Sequence, residues 1–200
     1  MDSDFWNSRY LESEAMWSQT PNEFVVEYLS QLPVGAMADF AGGEGRNALW
    51  FAGRGWMAEN IDFSSVAVER SKQWAWEKGV ANRFVGTVAD ATASQTSTLA
   101  PLDLAVMAYL QLPAEQLREA IVNAVSQLKP GGLFFGVWHA RENLDGGFGG
   151  PPDPAVLPTQ EELRAACSKA GATVRSLELR DRAVGEHSAI DVVLVATVTV

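Results

Sequence analysis

The sequence predicts an α/β fold built on a mostly parallel sheet with helices on both faces. Short apolar runs alternate with helical patterns along most of the chain. The central runs are apolar throughout, as expected for parallel strands that are buried on both faces. The last two runs, 173–184 and 189–200, are rich in β-branched residues and are joined by a short polar loop at 185–188, which indicates an antiparallel hairpin.

The first 19 residues are aromatic and polar without clear periodicity, and we expect them to form a lid segment. A helix is expected to follow this segment. Thr20 would be its N-cap, Pro21 would take the first helical position, and Glu23 would complete a capping box.

The central elements are separated by short turns. Strands are predicted at 36–41, 56–63, 83–89, 102–110 and 133–138, with helices at 47–54, at 64–78 and from Pro113 onward. The sequence Lys129-Pro130-Gly131-Gly132 predicts a turn before the fifth strand. Residues 143–158 show no period and predict a loop, after which Thr159 and Glu162 form a capping box for a helix that ends at Gly171.

Composition indicates one globular domain over residues 1–200. The chain is 47% hydrophobic and 20% charged, and no apolar run is long enough to span a bilayer. The N-terminus lacks the features of a secretory signal, and the single cysteine, Cys167, excludes an internal disulfide, so we expect a cytoplasmic protein. A net charge of −10 disfavours nucleic acid and suits a neutral or cationic small ligand.

The segment from Asp39 to Gly45 lies between a predicted strand and a predicted helix and is rich in glycine. Glycines permit positive φ angles and allow a ligand to approach the backbone closely. Ligands in open parallel sheets bind at the carboxyl ends of the strands, near the point where the strand order reverses. We therefore predict a nucleoside cofactor at this loop.

Two cofactor classes fit the loop. Residues Gly43 to Ala48 match the dinucleotide pattern G-x-G-x-x-A, and Asp62 lies 19 residues after Gly43, so an NAD(P)-linked oxidoreductase stays open. Asp39 and Glu44, however, would repel a pyrophosphate at the helix N-terminus. They would stabilise the ammonium and sulfonium groups of S-adenosylmethionine, which is the cofactor that we predict.

Two further acids follow the next two strands. Asp62 ends the second strand, where its carboxylate could accept both ribose hydroxyls, and Asp90 ends the third, where it could accept from an adenine amino group. Each acid alone could be a helix cap. Acids at three successive strand ends are a more specific pattern than any one of them.

These features resemble the class I S-adenosylmethionine-dependent methyltransferases, and more closely the bacterial branch related to tellurite-resistance and thiopurine methyltransferases. The resemblance covers nearly the whole chain. The motifs that carry it are Trp6-Asn7-Ser8-Arg9-Tyr10, Pro21-Asn22-Glu23-Phe24, Gly43-Glu44-Gly45-Arg46-Asn47-Ala48, Ile61-Asp62-Phe63-Ser64, Tyr109-Leu110-Gln111-Leu112-Pro113, Leu128-Lys129-Pro130-Gly131-Gly132 and Gly149-Gly150-Pro151-Pro152-Asp153.

The resemblance implies a Rossmann-like sheet of seven strands, mostly parallel, with the last strand antiparallel and helices on both faces. It implies that the cofactor contacts Asp39, Ala41, Gly42, Gly43, Glu44, Gly45, Asp62, Phe63, Asp90, Ala91 and Tyr109, beneath a lid that contains Trp6, Arg9 and Tyr10. Four positions depart from the family pattern. Ala41 replaces a glycine, Gln111 stands where relatives often have histidine, and Glu59 with Asn60 places polar residues inside the second strand.

Methyl transfer from a sulfonium can rest on positioning without a general base. A thiol, a metalloid or another soft nucleophile would need little help, whereas an oxygen or nitrogen nucleophile could need a base. Tyr109 and His139 are the candidate catalytic residues. We expect His187 to be exposed and Cys167 to lie in the core. Trp6, Trp17 or Trp138 could contact the sulfonium, an attraction of roughly 0.5–2 kcal/mol.

The predicted partner is a small-molecule methyl acceptor, reached between residues 1–19 and the loop 143–158, which would lie over the acceptor side. We predict no metal site, and we expect a monomer or a homodimer that uses the C-terminal hairpin as its interface. A non-catalytic S-adenosylmethionine-binding protein remains a further alternative.

Overall fold

The computed structural model describes residues 3–12, 15–16 and 18–199, which include seven strands and seven α-helices. The strands are β1 (Ala36–Phe40), β2 (Met57–Asp62), β3 (Phe84–Val88), β4 (Leu102–Ala108), β5 (Leu128–His139), β6 (Ala172–Val184) and β7 (His187–Val198). The helices are α1 (Ser3–Leu11), α2 (Glu23–Leu29), α3 (Arg46–Gly53), α4 (Ser65–Glu77), α5 (Ala114–Ser126), α6 (Asn143–Gly146) and α7 (Gln160–Lys169).

The strands form one sheet in the order β3-β2-β1-β4-β5-β7-β6. Strands β1 to β5 pair in parallel, and β7 pairs antiparallel with both of its neighbours. The predicted fold class is therefore confirmed. Because β1 lies between β2 and β4, the strand order reverses beside β1, and the crevice at the carboxyl ends of β1 and β4 is where such folds bind ligands.

Two apolar layers hold the sheet between its helices. One layer packs α5 and α7 against side chains that include Phe40, Met107 and Phe134. The other layer covers the opposite face with Phe24, Phe51, Trp56 and their neighbours. Burial of each large side chain contributes roughly 1.5–3 kcal/mol. No helix in the described ranges combines the length and the apolar character that crossing a bilayer requires.

The N-terminal segment, for which the sequence predicts no secondary structure, contains a helix over Ser3–Leu11. Tyr10 is its one buried residue, and the helix lies against α4. Because Tyr10 alone is buried, α1 has no repeating apolar stripe, and the sequence therefore shows no helical periodicity here.

The predicted capping box at Thr20 is wrong. The N-cap of α2 is Asn22, whose Oδ1 accepts hydrogen bonds from the backbone N–H groups of Phe24 (2.9 Å) and Val25 (3.2 Å). Asparagine is as strong an N-cap as serine or aspartate. Its own backbone N–H donates to Asn47 Oδ1 at 3.0 Å, which fixes the start of α2 against α3.

The predicted turn at Lys129–Gly132 is also wrong, since these residues lie inside β5. The pairing of β5 with β4 jumps from Leu102↔Leu128 to Leu104↔Leu133, so the extra residues form an irregularity within the strand. Gly131 has a φ of 78°, which a bulged strand accommodates and a regular strand does not.

The C-terminal third follows the sequence prediction more closely. The capping box of Thr159 and Glu162 is present at the start of α7, and β6 and β7 form the expected hairpin around a two-residue loop. The 143–158 segment is more regular than predicted, because it contains α6 and a 3₁₀ turn at Pro154–Val156.

Glu59, which the sequence left unexplained, is fully buried in β2 and organises the loop before β4. Its carboxylate accepts hydrogen bonds from the hydroxyls of Thr87 (2.5 Å), Ser97 (2.6 Å) and Thr98 (2.9 Å). It also accepts from the backbone N–H groups of Thr98 (3.0 Å) and Leu99 (3.3 Å). The acid therefore ties residues 97–99 to the sheet.

Candidate functional site

The loop after β1 adopts a conformation that glycine favours. Gly43 and Gly45 have φ angles of 57° and 81°, and Ala41 has a φ of 58°. A Cβ at Gly42 would overlap Asn60 Oδ1, so this position has no room for a side chain. The alanine that replaces a family glycine is accommodated in the left-handed region, at a cost of roughly 1–2 kcal/mol.

Asp39, near the end of β1, is fully buried and only half satisfied. Its Oδ2 accepts a 3.2 Å hydrogen bond from Asn47 Nδ2, whereas Oδ1 has no hydrogen-bond partner in the part of the chain that the structure describes. Burial raises the pKa of Asp39 to about 7, and the bond from Asn47 offsets this only in part. A buried acceptor without a donor is costly, so this oxygen suits a cationic ligand group.

Asp62, at the end of β2, connects the loop to the start of α4. Its Oδ2 accepts from the backbone N–H of Gly43 at 2.8 Å, and its Oδ1 accepts from the backbone N–H of Ser64 at 2.9 Å. Burial raises the pKa of Asp62, against these two hydrogen bonds. Each carboxylate oxygen can accept a second hydrogen bond, so two ligand hydroxyls could bind here as well.

Glu44 is buried in an ion pair rather than free at the turn. Its Oε1 lies 2.5 Å from Arg70 Nη1, and its Oε2 accepts from the backbone N–H of Met16 at 3.1 Å. The glutamate thus anchors the N-terminal segment to residues 41–45, the predicted cofactor loop. Because Arg70 neutralises Glu44, Asp39 is the acid of this loop that would repel a pyrophosphate.

Helix α1 brings two of the three predicted lid residues to the loop. Tyr10 is buried over Gly43, where an added Cβ would lie 2.7 Å from the tyrosine hydroxyl. The ring of Trp6 lies 5.9 Å from that of Tyr10, and Asn7 Oδ1 accepts a 2.7 Å hydrogen bond from Ser64 Oγ. Arg9 is exposed.

Asp90 and Ala91 follow β3. Asp90 is exposed, and its Oδ1 accepts from both the backbone N–H and the hydroxyl of Thr92 at 2.8 Å, so it stabilises its own turn. Ala91 is buried, and its carbonyl accepts a 2.9 Å hydrogen bond from Asn123 Nδ2. Phe63 is half-buried immediately after β2.

Tyr109 follows β4 in a left-handed backbone conformation with a φ of 61°. Its hydroxyl donates to Asp191 Oδ2 at 2.7 Å and accepts from Asn22 Nδ2 at 3.3 Å. Burial and the adjacent Asp191 raise the pKa of Tyr109 far above its ordinary value. Tyr109 therefore remains protonated at neutral pH and cannot be a general base.

Asp191, in β7, was not predicted from the sequence, although it is the centre of a polar cluster. It is fully buried, and its Oδ2 also accepts a 2.6 Å hydrogen bond from Arg182 Nε. Its Oδ1 lies 3.1 Å from His139 Nδ1, an ion-pair distance at which the two atoms are not aligned for a hydrogen bond. Burial opposes ionisation, but the neighbouring His139, Arg182 and Tyr109 hold the pKa of Asp191 below its usual range.

A continuous series of hydrogen bonds joins this cluster to the cofactor loop. Asp39 accepts from the Asn47 side chain, and Asn47 accepts from the Asn22 backbone. The Asn22 side chain donates to Tyr109, which donates to Asp191. The two buried acids, Asp39 and Asp191, are therefore connected by one continuous hydrogen-bond network.

The remaining sequence candidates lie elsewhere. Trp138 is fully buried in the core against Gly136, so its predicted contact with a sulfonium is wrong, and Trp17 lies outside the described residues. His187 is exposed, as predicted, and stacks on Phe148 with ring centroids 4.2 Å apart. Cys167 is in the core, as predicted, and burial raises its pKa to about 11.

Gln111, which stands where relatives often have histidine, has a structural position. Its Oε1 accepts from the backbone N–H of His139 at 3.0 Å, and its Nε2 donates to the carbonyl of Val156 at 2.7 Å. The side chain thus joins the end of β5 to the 143–158 segment.

Comparison with protein families identifies the domain. Residues 37–132, from β1 into β5, match a family described as "Methyltransferase domain". These residues form a methyltransferase domain. The match confirms the predicted enzyme class, a methyltransferase. The comparison of this chain with curated protein sequences found no match.

Solved structures share the fold of this methyltransferase over 98% of its length. Magnesium protoporphyrin IX methyltransferase from Synechocystis PCC 6803, with bound S-adenosylhomocysteine, aligns with a TM-score of 0.72 at 16% identity over 94% of its own chain. TehB from Haemophilus influenzae aligns with a TM-score of 0.72 at 14% identity over 67% of its chain. A structure described for conversion of a disulfide bond into a thioacetal group during echinomycin biosynthesis aligns at 0.78 and 17% identity over 91% of its chain.

Proposed function

We propose that this methyltransferase transfers a methyl group from S-adenosylmethionine to a small-molecule acceptor at the carboxyl ends of β1, β2 and β4. The cofactor would lie along the loop 41–45, between Asp39 on one side and Asp62 on the other. Bound there, it supplies a methyl group activated by a sulfonium. The acceptor would approach from the side of Tyr109.

The observation that carries this proposal is the unpartnered Oδ1 of Asp39 beside a glycine-rich loop. The methionine part of the cofactor has an ammonium group that can donate to this oxygen and favour the ionised carboxylate. A dinucleotide would place a pyrophosphate near the same carboxylate, with repulsion instead.

The other predicted contacts extend the site along the nucleoside. Asp62 has acceptor capacity left for the ribose hydroxyls. Phe63 and Ala91 would contact the adenine, with Asp90 accepting from its amino group. Ala41, Gly42, Gly43 and Gly45 would form the floor beneath the methionine, with Tyr109 beside the methyl group. Glu44 would act through the ion pair that anchors the lid, and Trp6 and Tyr10 would cover the cofactor.

The predicted acceptor, a thiol, a metalloid or another soft nucleophile, stays a prediction. The likeness to TehB and to the structure from echinomycin biosynthesis supports such chemistry only through a shared fold. A small molecule suits the acidic chain, and the 143–158 segment beside His139 would cover the acceptor. Cytoplasmic location, the single domain and a monomer or homodimer also stay predictions.

Calorimetry with S-adenosylhomocysteine and with NAD tests the cofactor assignment. We expect only S-adenosylhomocysteine to bind. Asp62→Ala should weaken this binding by roughly 1.5–3 kcal/mol, the value of hydrogen bonds to a charged group. Asp145→Ala, an exposed position in α6, is the matched control. Binding of NAD alone would establish the oxidoreductase alternative, and equal affinity of Asp62→Ala would refute the ribose contact.

The lid assignment has its own test. Hydrogen exchange of residues 3–12 should slow when S-adenosylhomocysteine binds, because Trp6 and Tyr10 would then contact a ligand as well as the loop. Exchange of α7 is an internal control, since that helix lies away from the cofactor loop. Unchanged protection of α1 would show that this helix is a fixed part of the fold.

A further inference from the structure

We propose that His139 accepts a proton from a hydroxylated acceptor, with Asp191 and Arg182 as the residues that position it. The inference rests on the proposed methyl transfer to a small molecule. It names a different acceptor class from the soft nucleophile that the sequence predicts, namely a weakly acidic O–H such as a phenol. It assigns a role to the buried cluster that the cofactor site does not use.

The geometry leaves one side of the His139 ring for a ligand. Nδ1 faces Asp191 Oδ1 at 3.1 Å. No hydrogen bond to Nε2 is formed by any residue of the ranges 3–12, 15–16 and 18–199, and the side chain is 16% exposed. One imidazole nitrogen is thus directed at a buried carboxylate, while the other is available for a proton.

The charges around the ring favour a defined tautomer. The charged and titratable side chains that face His139 are Asp191, Tyr109 and, through Asp191, Arg182. An ionised Asp191 can only accept, so it favours a proton on Nδ1 and a lone pair on Nε2. The misalignment of the His139–Asp191 contact is compatible with this role, because such hydrogen bonds often tighten only when substrate binds.

The location of His139 matches the proposed path of the acceptor. The residue ends β5, next to β4, and its ring lies 5.0 Å from that of Tyr109. Gly150 covers the other side, where an added Cβ would lie 2.9 Å from His139 Cγ. The base is therefore enclosed between the strand ends and the 143–158 segment.

The chemistry selects the acceptor class. A thiol is already partly ionised near neutral pH, and a neutral amine already has a lone pair, so neither depends strongly on a base. A hydroxyl oxygen gains most from losing its proton during attack. The O–H bond breaks with the proton passing to Nε2, and the oxygen–methyl bond forms as the carbon–sulfur bond breaks. The electron pair of that bond stays on sulfur, so S-adenosylhomocysteine leaves as a neutral thioether.

Release of S-adenosylhomocysteine, measured with a panel of simple phenols and a matched panel of thiophenols, tests the inference. We expect wild type to methylate phenols. In H139Q this rate should fall roughly 100- to 10,000-fold, while any thiophenol rate is unchanged. H187Q removes the exposed histidine and is the control.

The positioning role of Asp191 needs a readout that a structural defect would not mimic. The sequence has two histidines, so ¹⁵N spectra of the imidazoles in wild type and H187Q assign His139 directly. We expect the Nδ1–H tautomer in wild type, and its loss in D191N together with slower phenol methylation and unchanged S-adenosylhomocysteine affinity. An unchanged tautomer in D191N would remove the positioning role.

The possible failures are distinguishable. Absence of S-adenosylhomocysteine binding would overturn the proposed function itself. With that binding intact, equal phenol rates in wild type and H139Q, turnover of thiophenols alone, or turnover of neither panel would each overturn the assignment of a hydroxylated acceptor.

Discussion

The hydroxyl of Tyr109 donates a 2.7 Å hydrogen bond to Asp191, joining the residue after β4 to a buried acid of β7. Tyr109 holds a φ of 61°, which costs about 1 kcal/mol or more for a residue with a side chain. The bond gives a physical reason for that conformation, because it directs the phenol into the sheet edge where Asn22 and Asp191 can both reach it. Strain of this kind commonly occurs at functional sites.

Tyr109→Phe should lower the free energy of unfolding by roughly 1.5–3 kcal/mol, because a hydrogen bond to a buried carboxylate is lost. Tyr28→Phe is the matched control, since its hydroxyl only accepts a hydrogen bond from Arg180 near the surface. Because solvent screens the charge of Arg180 there, we expect that change to cost at most about 1 kcal/mol. Urea denaturation of both variants makes the comparison, and equal losses would show that the Asp191 bond has no special contribution.

Asp39→Asn should alter how stability depends on pH. Burial raises the folded-state pKa of Asp39 from 3.8 to about 7, so the unfolded chain releases this proton first. As pH rises from about 4 to about 7, ionisation therefore favours unfolding, by up to roughly 4 kcal/mol at 1.4 kcal/mol per pKa unit. The asparagine variant should lack this loss, and its advantage over wild type should grow between pH 5 and pH 8 in urea denaturation.

Asp103→Asn is the control, because the pKa of Asp103 is lowered in the folded protein whereas that of Asp39 is raised. Partial burial raises the pKa of Asp103, but the Lys129 ion pair and the backbone N–H of Ala36 outweigh it and hold this pKa below its usual range. Its stabilisation is therefore present above the unfolded pKa and is lost on acidification. We expect Asp103→Asn to be less stable than wild type at pH 8 and equal to it near pH 2. The same pH trend in both variants would contradict the assignment for Asp39.

The strands of the sheet and the loop after β1 were predictable because their signals are local. Strands apolar on both faces, helix caps such as Thr159 and the glycine pattern each occur within a few consecutive residues. Asp39 and Asp62 were found for the same reason, since the end of a parallel strand can be recognised from its own sequence.

The residues that were missed depend on distant neighbours. Asp191 is an acid inside the apolar run 189–195, a signal that was available, but its meaning depends on the register that places it opposite His139. Arg182 reaches Asp191 only across the hairpin. Asn22 gave no sign of contacting Tyr109, 87 residues away, because no short-range pattern encodes such a contact.

Glu59→Gln should loosen the loop that precedes β4. The Glu59 carboxylate accepts hydrogen bonds from Ser97, Thr98 and Leu99. The glutamine amide group has N–H groups on one side, which would face some of these donors and could not accept their hydrogen bonds. We expect faster hydrogen exchange at the backbone N–H groups of Thr98 and Leu99, with a stability loss of roughly 2–3 kcal/mol. Glu69→Gln, on the exposed surface of α4, should leave both unchanged. Normal protection of Thr98 in Glu59→Gln would show that the loop is held by other contacts.

Gly43→Ala should weaken S-adenosylhomocysteine binding and stability for two separable reasons. The alanine would adopt a φ of 57°, at a cost of roughly 1–2 kcal/mol, and its Cβ would meet the Tyr10 hydroxyl at 2.7 Å. Gly79→Ala has the same backbone strain, at a φ of 69°, with open space around the new Cβ. The Tyr10→Ala background removes the clash at Gly43→Ala but leaves the backbone strain. In that background, Gly43→Ala should lower the free energy of unfolding about as much as Gly79→Ala lowers that of wild type, as measured by urea denaturation. If Gly43→Ala lowers the free energy of unfolding equally with and without Tyr10→Ala, the contact between Tyr10 and Gly43 does not restrict the side chain at position 43.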